Sequence, residues 1–441
     1  MGSMGARRAA VTPSRRAAAA LLALTIGAAP LLAPAPARAD AVREAQLPVL
    51  ETLSVPAAWK QTRGEGVTVA VVDSGTDANQ PDLKGSVTTG PNMLADVDRG
   101  TRPKREHGTA MAALIAGHGH GPGGDSGVIG IAPKARVLAI RAIAEPEDAS
   151  YRRYKSDGEG DGVAEGIRYA ADHGADVINL SLGQYNEERN EREAIGYAIK
   201  KGVVVIAAAG NDGDRKRRLD KDGFAPYSYP ASYPGVIAVA ATTPGHERAR
   251  FSNRNYSVVV GAPGDEIVYA APGGEYGMGG GTSQASAIVS GIAALIRAKH
   301  PDLPPALVSQ ALVVSARNGP SGKYNPELGF GEVNAARALA AAAALAAPRA
   351  GQAGKAAGRR FAEGPPPGPV AIIERPAWLR PVIIGIIVLG TGGAAAAVVI
   401  AVALARRNPR PPAPVLAATP APHEIVPPRH PYGPGGQGHS Y

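Results

Sequence analysis

Short apolar runs, rich in β-branched residues, recur along the middle of the chain. They are Val67–Val72, Val137–Ile140, Val177–Leu180, Val203–Ala209 and Val236–Ala240. None alternates between apolar and polar positions, so each is typical of a strand buried on both faces of a parallel sheet. The stretches between them have helical spacing, as in Val163–His173 and Arg192–Lys200. This alternation predicts an α/β fold, a parallel sheet with helices on both faces.

Two further helices are predicted toward the end of this domain, around Ala287–Leu295 and Ala335–Leu345. We therefore expect the folded domain to cover residues 67–345. The preceding residues, 40–66, are too few to bury a core of their own. We expect this N-terminal extension to pack on the domain through four apolar side chains: Leu47, Leu50, Leu53 and Trp59.

Two apolar stretches lie outside the predicted domain. The first follows two arginines and precedes an Ala-Arg-Ala motif, so residues 1–39 are typical of a secretory signal peptide. A membrane anchor is the alternative there, but the stretch is shorter than the about 20 apolar residues that a span needs. The second, residues 382–404, carries no charge and would extend about 34 Å as a helix. It predicts one C-terminal transmembrane helix.

The segments around this span complete the predicted organisation. Residues 346–381 are rich in Pro, Gly and Ala and are interpreted as a linker. Residues 405–441 begin with arginines and are rich in proline, so we predict a disordered cytoplasmic tail. A cleaved signal and one span would place the folded domain outside the cell membrane, in a single-pass protein.

Composition narrows the range of functions. The 441 residues include no cysteine, which excludes disulfides, thiol catalysis and cysteine-ligated zinc. The net charge of +9 would be typical of a nucleic-acid-binding protein if it were spread over the domain. The positive excess lies in the two flanks, however, and the stretch between them carries a net negative charge. We therefore predict no nucleic-acid partner.

Four polar residues stand where a chemical site would form. Asp73 ends the first predicted strand, at the sheet edge where open α/β folds place their sites. His107 opens a helix-like stretch, and a neutral imidazole of pKa about 6.5 takes and returns protons if a carboxylate fixes its tautomer. Ser283 precedes a helix whose free N–H groups would face an anion, and Asn211 could donate to an oxyanion. Taken singly, these residues are also typical of turns, surfaces and helix caps.

Taken together, these residues lie in motifs that resemble the subtilisin-like serine proteases. The matching stretches are Val71-Val72-Asp73-Ser74-Gly75, His107-Gly108-Thr109, Ser181-Leu182-Gly183, Ala208-Ala209-Gly210-Asn211 and Gly281-Thr282-Ser283. The order Asp, His, Ser along the chain is also that of the family. The resemblance covers residues 64–339 and implies a serine endopeptidase that hydrolyses peptide bonds through an acyl-enzyme. The chain departs from the usual family pattern at Ala287, where proline is common, which leaves the fine shape of the pocket open.

The resemblance implies a role for each matching residue. Ser283 would be the nucleophile, His107 the general base and then acid, and Asp73 the group that orients the imidazole. Asn211 and the Ser283 N–H would bind the oxyanion. Six residues would flank an extended peptide as strands: Ser181, Leu182, Gly183, Ala208, Ala209 and Gly210. No cofactor is implied for the reaction. Calcium binding stays an open possibility, because Pro81-Asp82-Leu83 resembles a segment that supplies a calcium ligand in many relatives. The sequence does not, however, indicate the six to eight oxygen ligands that such a site needs.

The order of segments adds a second likeness. A signal peptide, a short extension, a subtilisin-like domain, a proline-rich linker and one C-terminal span are together similar to the mycosins, membrane-anchored serine proteases associated with type VII secretion in actinobacteria. That likeness implies protein or peptide substrates, anchoring through the C-terminal helix and association with a type VII complex. Mycosins generally contain disulfides, so the extension of this cysteine-free chain must be held noncovalently.

Two other functions stay open at this stage. Val72-Asp73-Ser74-Gly75-Thr76 resembles the active-site signature of aspartic proteases, and a second Asp-Ser-Gly triplet begins at Asp125. Asp125 follows a glycine-rich loop rather than a strand and lies too close along the chain for a second lobe. The other function is a largely structural role in a secretion complex with a little-used protease fold, because filled catalytic positions do not by themselves establish turnover.

Overall fold

The computed structural model describes residues 40–156, 161–319 and 324–347, together with residue 393 and residues 396–404. The predicted signal peptide and cytoplasmic tail lie outside the described residues, as do most of the linker and most of the predicted span at 382–404. Among the residues that are described, no helix is both long and apolar enough to cross a membrane. Residues 396–404, which belong to a separate C-terminal unit, are helical.

The unit up to residue 347 alternates strands and helices. Its strands are β1 (Thr68–Asp73), β2 (Val87–Asn92), β3 (His118–His120), β4 (Ser126–Ile129), β5 (Arg136–Arg141), β6 (Val177–Leu180), β7 (Val204–Ala208), β8 (Ile237–Thr242), β9 (Val258–Pro263), β10 (Ile267–Ala270) and β11 (Tyr276–Gly279). Its helices are α1 (Ala41–Thr52), α2 (Val55–Ala58), α3 (Glu106–Ala116), α4 (Tyr151–Ser156), α5 (Gly162–Asp172), α6 (Arg189–Lys200), α7 (Thr282–Lys299), α8 (Pro305–Ser315) and α9 (Ala335–Ala346).

Seven of these strands form one sheet in the order β2-β5-β1-β6-β7-β8-β9, with every neighbouring pair parallel. All five predicted strands are observed in it, with ends displaced by no more than two residues. The pairs β3–β4 and β10–β11 form separate antiparallel hairpins. The central position of β1, between β5 and β6, brings the carboxyl end of β1 to the middle of the sheet's edge.

Helices cover both faces of the sheet, as predicted. Alternate side chains of β1 point to opposite faces. Val69 and Val71 join a core cluster that includes side chains of α3 and α7, whereas Ala70 and Val72 join one built with α5 and α6. Because both faces are buried in this way, most positions along these strands are apolar.

The N-terminal extension packs on the domain. Leu50 and Leu53 are buried in the larger core cluster, and the Trp59 indole N–H donates to the Ile131 carbonyl over 2.8 Å. The Gln46 side chain exchanges two hydrogen bonds with the main chain of Ile129, at 2.7 and 2.9 Å. The expectation for Leu47 is wrong: it is 42 % exposed, because it lies on the outward side of α1. Noncovalent contacts therefore hold the extension in place.

Candidate active site

Asp73 and His107 meet at the edge of the sheet. Asp73 is the last residue of β1 and has no exposed surface. Its two carboxylate oxygens lie 2.8 and 3.0 Å from Nδ1 of His107, which is in the first turn of α3. A carboxylate only accepts hydrogen bonds, so Nδ1 carries the proton and a neutral imidazole has its lone pair on Nε2. This is the tautomer that a general base requires.

The electrostatic surroundings favour the imidazolium. Burial by itself lowers the pKa of His107, but the charge and hydrogen bond of Asp73, together with the charges of Glu145 and Glu106, more than offset this effect. The pKa of His107 is therefore raised above its ordinary value. An imidazole that binds protons more strongly is a better acceptor for the proton of a hydroxyl group.

Gly108 allows α3 to approach β1 this closely. A Cβ placed on Gly108 would lie 2.1 Å from the carbonyl oxygen of Gly75, well inside van der Waals contact. The Gly108 N–H also donates to Ser74 Oγ over 3.0 Å. The histidine-glycine pair of the motif thus has a geometric reason, because any larger residue at 108 would displace the helix that carries His107.

Ser283 lies in the first turn of α7, next to the end of β6. Its hydroxyl donates to the Ser181 carbonyl over 3.1 Å, and within the described part of the chain no hydrogen bond joins it to His107. The carbonyl of Ser283 accepts from the hydroxyls of Ser181 and Ser286, both at 2.9 Å. The helix start is therefore fixed to β6, while the Ser283 hydroxyl can change partner by rotating about its Cα–Cβ bond.

Asn211 is oriented by the residue before the serine. Its Oδ1 accepts from the N–H and the hydroxyl of Thr282, both at 2.9 Å. A backbone N–H is always a donor, so these contacts fix which side of the amide is oxygen and turn Nδ2 the other way. The Ser283 N–H has no partner among the described residues, as is usual in the first turn of a helix. The side chain of Asn211, which follows β7, is thus bound to the helix start that carries the Ser283 N–H.

Four of the six predicted substrate-flanking residues border one cleft of about 250 Å³. Leu182, Gly183, Ala208 and Gly210 line this cleft. Ser181 and Ala209 have no exposed surface and lie beneath it. The Ala209 main chain is already bonded, since its N–H donates to Val239 and its carbonyl accepts from Asn253. The structure therefore brings four of the six residues to the cleft surface.

Asp212, next to Asn211, has no exposed surface. Its carboxylate accepts from the Tyr185 hydroxyl and pairs with Arg215, while Arg218 lies at 3.6 Å. Burial, followed by the Asp212 hydrogen bond, raises the pKa of Tyr185 to about 12. The negative charge of Asp212 is thus engaged within the protein, beside the cleft.

In the segment that resembles a calcium-binding segment, the Asp82 carboxylate accepts hydrogen bonds from other parts of the protein. Asp82 accepts from Nδ1 of His120 over 2.7 Å and from the Val128 N–H over 2.8 Å. Calcium requires several oxygen ligands instead. In the ranges that the structure describes, no cluster of three or more metal-binding side chains occurs. Both carboxylate oxygens of Asp82 thus accept hydrogen bonds from protein groups.

Sequence reasoning missed two contributors to this arrangement. Thr282 lies in one of the motifs, but the motif does not indicate its contacts with Asn211. Glu145 lies in none of the motifs, although its carboxylate accepts from the N–H of His107 over 2.7 Å. It is separated from His107 by 38 residues. The sequence signal for Glu145 is weak, since it is only an acidic residue shortly after a predicted strand.

The sequence is similar to that of known serine proteases. A sequence profile of the Subtilase family (Peptidase_S8) matches residues 64–331. The intracellular serine protease of Paenibacillus polymyxa is 37 % identical over 252 residues, which are 56 % of this chain and 72 % of that protein. Thermitase of Thermoactinomyces vulgaris is 37 % identical over 246 residues, 56 % of this chain and 80 % of thermitase.

Solved structures agree with this match. Two crystal structures of MycP1, one described as from Mycobacterium smegmatis and one as from the ESX-1 type VII secretion system, superpose with TM-scores of 0.57 at 28 % identity. Each alignment covers 66 % of this chain and 84 % of that chain.

Proposed function

This chain belongs to the subtilase family and is a serine endopeptidase, and we propose that it works outside a cell membrane, anchored by residues 382–404, on or with a type VII secretion system. The observation that carries the enzymatic part is the pairing of Asp73 with His107 at the sheet edge where the Ser283 helix begins. Family membership argues against the aspartic-protease alternative. The structure argues against it too, because Asp73 is hydrogen-bonded to His107 and Asp125 is exposed in the loop between β3 and β4.

We propose that Ser283 attacks the carbonyl carbon of the scissile peptide bond. Its hydroxyl leaves the Ser181 carbonyl, rotates toward Nε2 of His107 and transfers its proton there as the new C–O bond forms. Asp73 stabilises the resulting imidazolium. The same imidazolium then gives its proton to the leaving amine as the C–N bond breaks, which leaves an acyl-enzyme on Ser283. A water molecule then attacks the ester carbonyl as His107 takes its proton. The imidazolium returns this proton to Ser283 Oγ as the bond between the acyl carbon and Oγ breaks, which releases the carboxylic acid product.

The oxyanion of each tetrahedral intermediate would accept from Asn211 Nδ2 and from the Ser283 N–H. Both groups are held in place before substrate binds, because Thr282 fixes the amide and the helix start fixes the main chain. Donors that need no reorganisation during the reaction stabilise the transition state most effectively. The dipole of α7 adds a favourable positive potential at the same point.

Replacement of Asn211 tests this role. We expect Asn211→Ala to lower kcat by about 10²- to 10³-fold with little change in KM, since the oxyanion forms only during the reaction. Asn211→Asp keeps an acceptor for the Thr282 N–H but loses the donor, so its kcat should fall at least as far. Steady-state kinetics on a chromogenic peptide measures both. If Asn211→Asp retained wild-type kcat, the amide N–H would have no part in the reaction.

The membrane and secretion parts of the proposal rest on the flanking segments and on the relatives. A basic and apolar N-terminal stretch and an uncharged stretch at 382–404 have the composition of a signal and a span. MycP1, one structure of which is described as from a type VII secretion system, aligns with most of its length. The substrates of the proposed protease would be secreted proteins or peptides, bound in extended form along the cleft.

Genetic complementation separates proteolysis from a structural role. In a strain that lacks the chain, we expect wild type to restore secretion of type VII substrates into the medium. If Ser283→Ala restores secretion equally well, the structural role is the main one. If only the active chain restores it, proteolysis is required. Normal secretion after complete deletion would contradict the proposed association.

Topology is tested separately on intact spheroplasts. The proposal predicts that added protease digests the folded domain, whereas an epitope placed on the tail after residue 405 is protected until the membrane is permeabilised. Digestion of the tail epitope from outside would contradict the orientation. Recovery of the whole chain in the soluble fraction would contradict the anchor.

A further inference from the structure

The helix that carries His107 starts without a capping side chain of its own. Its N-cap residue is Arg105, which has left-handed backbone angles (φ 61°, ψ 23°) and makes no side-chain capping bond. Arginine has only donors, so it cannot accept from the free N–H groups of a first turn. Ser, Thr, Asp or Asn usually fills this position. The acceptors for the first turn of α3 must therefore come from elsewhere.

A buried carboxylate supplies them. Glu145 accepts from the His107 N–H over 2.7 Å through one oxygen and from the Glu106 N–H at 3.3 Å through the other. Ser74, beside Asp73, accepts from the next N–H, that of Gly108. Three consecutive N–H groups are thus bound by side chains from the β1 and β5 ends of the sheet. The main chain of His107 is tied directly to Glu145.

Glu145 is itself held rigidly. It is only 5 % exposed, and its N–H donates to Asp148 over 2.9 Å. Asp148 pairs with the buried guanidinium of Arg141, and Arg141 donates to the Ser74 carbonyl over 2.8 Å. Arg141 and Asp73 are paired residues on adjacent strands. A chain of hydrogen bonds and an ion pair therefore connects the carboxylate that caps α3 to the end of β1, where Asp73 lies.

We propose that Glu145 is a positioning residue for the peptidase reaction, one that sets the place of His107 and supplies a second negative charge near its imidazole. This inference rests on the role of His107 as base proposed above. A base must lie within about 3 Å of the proton it takes, and a displacement of 1 Å at a reacting group costs about 100-fold in rate. The first turn of α3 decides that distance.

The charges around His107 come from three elements. Asp73 belongs to β1, Glu106 to α3 itself and Glu145 to the segment after β5, and all three raise the pKa of His107 against the effect of burial. Burial, with repulsion from Asp73, raises the pKa of Glu145 as well. The Arg141 guanidinium is paired with Asp98 and Asp148, so it does not cancel the carboxylates beside the imidazole.

Three variants test the proposal on the full-length protein. Glu145→Ala removes both the cap and the charge, and we expect kcat to fall about ten- to 100-fold with KM within about twofold. Glu145→Gln keeps an acceptor for the His107 N–H but removes the charge. We expect it to retain most of kcat at high pH and to move the acid limb of kcat/KM lower by about half a pH unit. Glu147→Gln, an exposed carboxylate of the same segment, should match wild type.

Kinetics, pH profiles and melting temperatures are measured together on these variants. An acid limb and a kcat that are unchanged in Glu145→Gln would overturn the proposal, and so would a loss in Glu145→Ala that appears in KM rather than kcat. A lower melting temperature with wild-type kinetics would identify Glu145 as a structural residue only. Failure of the underlying mechanism looks different, because His107→Ala would then retain activity whatever Glu145 does.

Discussion

Ser283→Ala is expected to lower kcat on a peptide substrate by about 10⁵- to 10⁶-fold, the size known for the nucleophile of related enzymes. Alanine cannot form the acyl-enzyme, whereas the oxyanion donors and the cleft stay in place. KM should therefore remain within about threefold of wild type. Within the described ranges the hydroxyl makes one hydrogen bond, to Ser181, and the helix start keeps its other contacts. We expect a folded protein whose melting temperature changes little.

A matched control lies on the same helix. Ser290 is fully buried, and its hydroxyl donates to Asn179 over 3.0 Å. Ser290→Ala should cost about 1 kcal/mol of the free energy of unfolding and leave kcat unchanged. Both variants are compared by steady-state kinetics and thermal unfolding. Residual activity above about 1 % in Ser283→Ala would show that another group performs the attack.

Asp73→Asn is expected to lower kcat by about 10⁴-fold while the fold is retained. The amide that replaces the carboxylate can present its N–H to Nδ1 of His107. Nδ1 must then accept, so the ring proton moves to Nε2 and blocks the lone pair that Ser283 needs. The helix contact survives, because the residue still fills the same buried position. The loss should thus appear in kcat rather than in folding.

The pH dependence of activity gives a second test of Asp73→Asn, because the direction in which its acid limb moves can be predicted. The base must be neutral, so activity rises as pH rises through the pKa of His107. In wild type that pKa is raised, since the neighbouring carboxylates, Asp73 foremost, outweigh burial, and the acid limb should lie higher than the ordinary histidine pKa would place it. Loss of the carboxylate should move the limb of the residual activity to lower pH. Asp96→Asn, at an almost fully exposed carboxylate, is the control and should show neither effect.

The parts of the fold that the sequence predicted are those in which burial determines residue type. β1, β5, β6, β7 and β8 lie inside the sheet and are covered on both faces, so each is largely apolar, with Asn179 as a polar exception inside β6. The edge strand β2 was not predicted, because it is largely exposed and contains Gly90 and Pro91. The outer strand β9 was missed for a related reason, since Gly261 and Pro263 interrupt its apolar run.

The site was predictable where residues lie in short motifs at element ends. Asp73 ends a buried strand, and His107 and Ser283 lie in the first turns of helices, so topology brings them to one edge. The orientation of the Ser283 hydroxyl was not predictable, because it depends on which acceptor is nearest before substrate binds. The role of Glu145 was not predictable for another reason. Glu145 lies far from α3 along the chain, and no local sequence pattern indicates that a distant residue caps a helix.

The most direct test of the account is to locate the residue that a fluorophosphonate modifies. The probe reacts with a serine only when a base and an oxyanion site activate its hydroxyl. After tryptic digestion, mass spectrometry should find the phosphonate on Ser283 in wild type and find no labelled peptide in Ser283→Ala. Labelling that persists in Ser283→Ala, or that maps to a different residue, would contradict the arrangement of Asp73, His107 and Ser283 on which the account depends.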